Sequence, residues 1–532
     1  MIYDLCLFYE YKKQFDQPKM KFIRSRRSAS TFISTLFSPL FRRSFIEPGS
    51  CLSSTAIRFL NCSSCNHFES PFQISKMRDH KGAITPEILK RFQEKFEADP
   101  KNILALNACA KTDPYEVCID KKVVDLTAHV FTHKVDSEIK PVTNQKSSSR
   151  CWMFAAMNVM RIPFAKEHQL EDFEFSQSYL MFWDKVERCN FFLHTIVNVL
   201  KRGEPVSGRL ISFLLTDPVQ EGGQWDMIVN LITRYGVIPK KYFPETFSCE
   251  SSGHLNSVLR TKVREYTKEL NVMIQKGISD EKLEEKILTC MEELYGIIAI
   301  CIGVPPETFT WEYYNKNKNY CVVGPITPLK FYEEHVKPHF NVENKICLVN
   351  DPRPENPFGH TYTVDCLGNM VGGRKTIYIN VTSDECLKYA AESIKNNEPV
   401  WFGCQVSKMF NVKLGIQDLN LYNFKMLFNV DVNKSFTKAE RLLYGESAMD
   451  HAMTFTAVSI DSDGKPTKWR VENSWGDERS EKGYLVMSSE WFEQFGFEVV
   501  VDKQYVSKDI LELLKMEPKM LPAWDPMGAL AS

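Results

Sequence analysis

Residues 144–155 read NQKSSSRCWMFA, with Cys151 between an arginine and a tryptophan where a polar loop gives way to an apolar run. The WMFAAMNVMR that follows has good helix propensity. The SSSR ahead of it reads as a capping stretch. Cys151 is therefore expected at a helix N-terminus, where the helix dipole favours a thiolate, the nucleophilic form of the side chain. The bland alternative is a buried structural thiol, the usual state of an unpaired cysteine.

A nucleophilic cysteine needs a base and a group to orient that base. His451 opens HAMTFTAVSID, an apolar β run, so its ring is expected at the edge of a core. Downstream, WRVENSWGD puts Asn473 at the end of a strand, two residues before Trp475. An amide oxygen can accept the imidazole N–H and fix the ring without adding charge. Trp152 and Trp475 are assigned to packing. Taken singly, His451 also reads as a satisfied core histidine and Asn473 as a turn residue.

Other arrangements fall short. GNMVGGRKT at 368–376 approaches a phosphate loop, but Arg374 interrupts Gly-Lys-Ser/Thr and a strand pattern follows. His335 and His339 stand four apart with Pro338 between them and no HExxH around them, so they are expected on the surface at a helix end. No metal and no cofactor is called for.

The elements that must position this chemistry change along the chain. Residues 152–168, 176–189, 225–235 and 257–300 carry helical patterns, the last heavily charged. After about residue 345, β-branched and aromatic runs dominate, among them KICLVND, PVWFGCQV, MTFTAVSI and FEVVV. A short helical segment at 507–516 precedes an extended tail, LPAWDPMGALAS. Helices first and strands later imply an α+β layout of two packed halves. The expected divisions are 1–76, an N-terminal extension; 77–255, a helical half with the nucleophile; 256–345, a helical insertion making assembly contacts; 346–506, a β-rich half with His451 and Asn473; and 507–532, a C-terminal arm.

Residues 20–46 are basic, serine-rich and free of acids, the composition of a mitochondrial presequence; the alternative is an extension with no targeting role. Met20 and Met77 are alternative starts, and the CxxC at Cys62 and Cys65 lacks any partner motif. The 532 residues are 43% hydrophobic and 25% charged, as expected of a folded chain. A net charge of −1 offers no global field for nucleic acid, which stays a compatible but unindicated partner through a locally basic channel. No apolar run reaches about 18 residues, so no membrane partner is expected. The scattered cysteines are expected reduced and buried, in the cytoplasm. The sequons at Asn61, Asn380 and Asn433 then carry no weight.

Together these residues are more specific. Gln145 six positions ahead of Cys151-Trp152, a histidine opening a β run, and Asn-Ser-Trp-Gly resemble the papain-like cysteine peptidases. Two features depart from the common pattern: Ser148-Ser149-Arg150 stands before the cysteine, and His451 follows it by 300 positions. QKSSSRCW, FEFSQSYLMFWDKVERC, GGQWDM, KICLVNDPRP, NMVGGRK, WRVENSWG and LPAWDPMGALA are similar to the bleomycin hydrolase branch of that family, over about residues 100–531. The resemblance implies a helical half and a β-barrel half with a cleft between them, a helical insertion, and a C-terminal arm in the cleft. It implies a cytosolic, metal-free aminopeptidase acting on peptides and on the bleomycin amide, assembled as a homohexamer. By the same resemblance, Cys151, His451 and Asn473 form the triad and Gln145 serves the oxyanion. Ala531 or Ser532 supplies a terminal carboxylate that holds the substrate's amino terminus. An acyltransferase with the same triad, or a peptidase that also binds nucleic acid, stays open as an alternative.

Overall fold

The computed structural model describes residues 81–532. The chain divides into two units, Met1–Thr85 and Pro86–Ser532, and every helix and strand named here belongs to the second. The presequence-like stretch, Met20, Met77, Asn61 and the Cys62/Cys65 pair lie outside the described residues.

Helices α1 (Pro86–Glu97) and α2 (Pro100–Cys109) come first. Then α3 (Cys151–Glu167), α4 (Gln177–Lys201) and α5 (Trp225–Tyr235) build the helical half. Fourteen of the seventeen residues of α3 are buried. A helix apolar all round is a central one. The periodicity of α4 predicts an end near 189, yet the helix continues to Lys201, because FFLHTIVNVLK keeps an apolar stripe against the core.

The charged stretch after residue 253 is two helices, α6 (Gly253–Gln275) and α7 (Asp280–Ile302). Lys286–Glu269 and Lys262–Glu293 ion pairs show that they run antiparallel, and both pack on α4. Part of their charge is thus spent between the two helices. The hairpin of β1 (Phe309–Tyr314) and β2 (Tyr320–Ile326) follows. His335 departs from expectation. It is half-buried, stacked on Phe331 and facing His168 across 5.8 Å, because Phe331, Trp311 and Phe164 form an aromatic cluster that covers it.

The later strands are β3 (Lys345–Val349), β4 (His360–Val364), β5 (Tyr378–Asn380), β6 (Val400–Cys404), β7 (His451–Ile460), β8 (Pro466–Glu472), β9 (Tyr484–Ser488), β10 (Gly496–Asp502) and β11 (Lys519–Leu521). They lie in one twelve-stranded sheet in the order β11-β4-β5-β3-β10-β6-β7-β8-β9, continuing through short strands at Ile416–Gln417 and Phe410–Asn411, with a two-residue strand, His133–Lys134, pairing with β7 off this path. The path has two ends, so the β half is an open, mostly antiparallel sheet. Helix α3 packs on β7, and helix α8 (Ser383–Lys395) packs on β10 and β7.

Two buried contacts stitch the halves at the site. Trp401 Nε1 of β6 donates to the Trp152 carbonyl of α3 at 3.1 Å. Arg161 of α3 pairs with Glu472 of β8 at 2.5 Å, both nearly fully buried. Since Glu472 precedes Asn473, this pair fixes the end of β8 against the helix that begins with Cys151.

Candidate active site

Cys151 is the first residue of α3, and its side chain is fully buried. No side chain caps the helix: Arg150 occupies the cap position, and the Ser148 hydroxyl is turned away to the Gln145 carbonyl at 2.6 Å. The capping reading of SSSR is therefore wrong, although the helix starts where it is expected. The serines and arginine hold the loop instead. Arg150 is completely buried, makes a two-pronged contact to Glu245 at 3.2 and 2.9 Å, and donates through Nε to Ser148 Oγ. Glu221 accepts from the Ser149 N–H at 2.9 Å and the Ser252 hydroxyl at 2.6 Å, and faces Lys185. Burial alone would raise the Glu221 carboxyl, but Lys185, these donors and Arg150 outweigh it and hold it at about 2.

The facing strand carries the candidate base. His451 opens β7, and the next residue's N–H (Ala452) lies 3.4 Å from Cys151 Sγ. His451 Nε2 meets Asn473 Oδ1 at 3.0 Å. The Ser474 N–H also reaches that oxygen, at 2.8 Å, which settles the orientation of the amide because only an oxygen can accept there. His451 Nε2 must then carry the hydrogen, leaving Nδ1 free to take a proton. The Trp475 ring lies 5.0 Å from the imidazole and shields this bond.

Gln145 lies in the same network. Its backbone N–H donates to the Ser474 carbonyl at 2.8 Å, and its Oε1 accepts from Ser474 Oγ at 2.6 Å. Its Nε2 donates to the Ser148 carbonyl at 2.7 Å. An amide nitrogen carries two hydrogens, so one remains for a ligand.

The C-terminal arm crosses the site. The Gly223 N–H donates to the Ala531 carbonyl at 2.9 Å, and the Ser532 N–H donates to the Asp450 carbonyl at 2.9 Å. Gln224 Nε2 holds the Ala529 carbonyl at 2.6 Å. The last residue is thus fixed beside His451 on one side and beside Gly222–Gly223 on the other. A side chain at Gly223 would overlap the Trp152 ring at 2.5 Å, so a glycine is needed for the edge to lie flat there. Sequence reasoning misses Gly222, Gly223 and the Asp450 carbonyl; only the glycine pair in GGQWDM hints at a close approach.

Under this cover Cys151 and His451 are dry. Burial pushes the Cys151 thiol up to about 12, with Asp450 adding to it and the Ala452 and helix-start N–H groups opposing. Burial pushes His451 down to about 4, against the Asn473 bond. Each shift describes one charge made alone. Moving the proton from sulfur to nitrogen makes two opposite charges together, whose attraction is strong in a dry site.

The other motifs serve structure. Arg374 of the near-phosphate loop pairs with Asp226, and the Asn230 side chain bonds the Arg374 backbone at both ends. Asn380 is wholly buried, donating to the Asp351 and Asn356 carbonyls, so that sequon is structural. The described cysteines are unpaired thiols, most of them buried. Among the described residues no His, Cys, Asp and Glu group has a metal-binding arrangement, and no helix is long and apolar enough to cross a membrane.

A cysteine at the start of a central helix, beside a histidine and an asparagine on an adjoining sheet, is the arrangement of a papain-like cysteine peptidase. A model of the Peptidase C1-like family matches residues 83–528, and the chain belongs to that family. It is 54% identical over 440 residues to bleomycin hydrolase of Homo sapiens, covering 82% of this chain and 96% of that protein. The chicken (Gallus gallus) bleomycin hydrolase is 53% identical over 451 residues, covering 84% and 99%. Aminopeptidase C of Lactobacillus delbrueckii subsp. lactis is 41% identical over 403 residues, covering 75% and 88%. Among solved structures, PepW from Lactobacillus rhamnosis superposes with a TM-score of 0.81 at 39% identity, covering 85% of this chain and all of that one.

Proposed function

We propose that the protein is a cysteine aminopeptidase that removes N-terminal residues from peptides and hydrolyses the amide of bleomycin. The observation that carries this reading is the His451–Asn473 bond with Cys151 Sγ one residue away across the strand. Cys151 attacks the scissile carbonyl as its proton passes to His451 Nδ1. His451 then gives that proton to the leaving amine and later draws one from water. Asn473 orients the ring. The spare Gln145 Nε2–H and the Cys151 backbone N–H receive the oxyanion.

The arm sets exopeptidase action. The intact chain places Ser532 where the first residue of a substrate would lie, with its N–H on the Asp450 carbonyl. Loss of Ser532 leaves the Ala531 carboxylate at the Gly223 N–H and frees the Asp450 carbonyl. A substrate ammonium then meets an anion and an acceptor together. The relatives named bleomycin hydrolase and aminopeptidase C support the same reading. Assembly as a homohexamer, and residence in the cytoplasm with a mitochondrial form through residues 20–46, belong to the proposal; light scattering and N-terminal sequencing of the native protein test them.

A thiol-directed epoxide should label Cys151 one to one and stop release of the fluorophore from aminoacyl substrates. Labelling spread over many cysteines overturns the reading. Turnover that requires an added amine acceptor would instead mark an acyltransferase.

A further inference from the structure

The oxyanion donor proposed at Gln145 is only as well placed as the loop around it. Gln145 Oε1 takes the Ser474 hydroxyl at 2.6 Å, and one Nε2 hydrogen goes to the Ser148 carbonyl at 2.7 Å. The two hydrogens of an amide nitrogen are fixed relative to each other in the amide plane. Where the Ser148 carbonyl stands therefore sets the direction of the free one.

That carbonyl belongs to the Ser148–Ser149 peptide unit, which is trans. A trans peptide is planar, and its C=O and N–H point to opposite sides. On the far side, the Ser149 N–H donates to Glu221 Oε2 at 2.9 Å. One rigid unit thus stands between the Glu221 carboxylate and the Gln145 amide. The rest of the loop does not fix this plane. It makes isolated bridges at Asn144 and Ser147 rather than a continuous ladder, and Lys146 sits at a φ of 54°. Its other N–H groups go to neutral oxygens: that of Lys146 to Asn144 Oδ1, and that of Ser147 to the Glu250 carbonyl.

Glu221 is built to hold such a unit still. Oε2 also takes the Ser252 hydroxyl, at 2.6 Å, and Oε1 faces Lys185 Nζ of α4 at 3.4 Å. Lys185 is fully buried and has no other ion pair among the described residues. The Glu221 carbonyl accepts from Trp152 Nε1 at 2.9 Å, so main chain and side chain both grip the segment around Cys151. A bond from an N–H to an ionised carboxylate is roughly twice as strong as a neutral one, and bonds in a chain polarise one another.

We propose that Glu221, braced by Lys185, is a positioning residue for the oxyanion: it fixes the Ser148–Ser149 peptide and through it aims the free hydrogen of Gln145 Nε2. The proposal rests on the peptidase reading. It deepens that reading by extending the oxyanion machinery to a buried ion pair that touches neither substrate nor thiol.

The test is a double-mutant cycle on the full chain. Lys185→Met together with Glu221→Gln removes the pair without stranding a buried charge. Turnover of an aminoacyl fluorogenic substrate is measured for this variant, for Gln145→Ala and for the combination. The pair variant should lower kcat about tenfold with KM little changed, but less than about twofold once Gln145 is alanine. Alkylation of Cys151 by iodoacetamide forms no oxyanion, and it should keep its rate and pH profile in the pair variant. An equal loss of kcat with and without Gln145, an unchanged kcat, or a matching loss of alkylation overturns the proposal, since a purely structural pair would not act through Gln145.

Should the pair variant not fold, Ser252→Ala loosens the same carboxylate. It should lower kcat about threefold, and only while Gln145 is present. No loss, or a loss that persists in Gln145→Ala, overturns the proposal. Failure of the peptidase reading would show separately, as absent labelling of Cys151 by the epoxide in the parent chain.

Discussion

Two buried glutamates flank the site and behave in opposite ways. Glu221, under the loop that leads into Cys151, is held at about 2 by Lys185, Arg150 and two donors. Glu498, under the arm, is pushed up to about 8, with only Cys347 lowering it and Asp226 raising it further. Both are almost fully buried, so burial does not distinguish them; their neighbours do. The lead-in is a locked platform of buried ion pairs. Beyond Asp525, which Arg353 holds, the end of the arm is laid over the cleft by a few main-chain bonds and the Gln224 side chain, above an acid whose carboxyl burial pushes up. On the proposed function the difference makes sense: a nucleophile and its oxyanion donors must not move, whereas a cover that sets specificity has to be displaceable.

The contrast can be broken most forcefully at Arg150. Arg150→Ala leaves Glu245 without its partner and should cost about 3–5 kcal/mol in urea unfolding. A loss below about 1 kcal/mol would mean the lead-in is no platform. Next comes Gln145→Ala, expected to lower kcat by roughly 10²–10³, about 2.7–4 kcal/mol, with KM little changed. A change confined to KM would move Gln145 from the oxyanion to substrate binding.

The two glutamates should then separate by pH. The folded value of Glu221 lies below its ordinary 4.5, so its stabilisation is present above pH 4.5 and lost as pH falls toward about 2. That contribution is about 3 kcal/mol, and Glu221→Gln should flatten this acid limb. The folded value of Glu498 lies above 4.5, so the opposite holds: stability is present below pH 4.5 and declines as pH rises toward about 8. Glu498→Gln should remove that decline in denaturation curves taken across pH 5–8.

The smallest effect is expected at the last residue. Deleting Ser532 removes its bond to Asp450 and should cost about 1 kcal/mol of stability. Aminopeptidase turnover should nevertheless begin without a lag. Mass spectrometry of the intact enzyme should show Ser532 lost over time, but retained in Cys151→Ala.

The residues of the candidate site are legible because their chemistry leaves local marks: a helix start at Cys151, a β run opening at His451, and an NSWG turn at Asn473. The fold class follows from helical periodicity giving way to β-branched runs. What the sequence hides depends on distant partners. Arg150, read as part of the capping stretch, turns its guanidinium inward to Glu245, 95 positions away. Glu498 lies in the FEVVV run, and its burial follows from a sheet covered on both faces, by α8 and by the helical half. The end of α4 is misplaced because polar residues interrupt an apolar stripe that the core still receives. The capping role given to SSSR fails because Ser148 serves Gln145 and Arg150 instead.

The seating of Ser532 between Gly222 and Asp450 has a practical consequence for anyone preparing this protein. An affinity tag joined after Ser532 would have to leave through the space that the proposed function gives to a substrate's scissile bond. Such a fusion should either block the enzyme or be cut off by it, so a chain tagged at the other end is the one to assay.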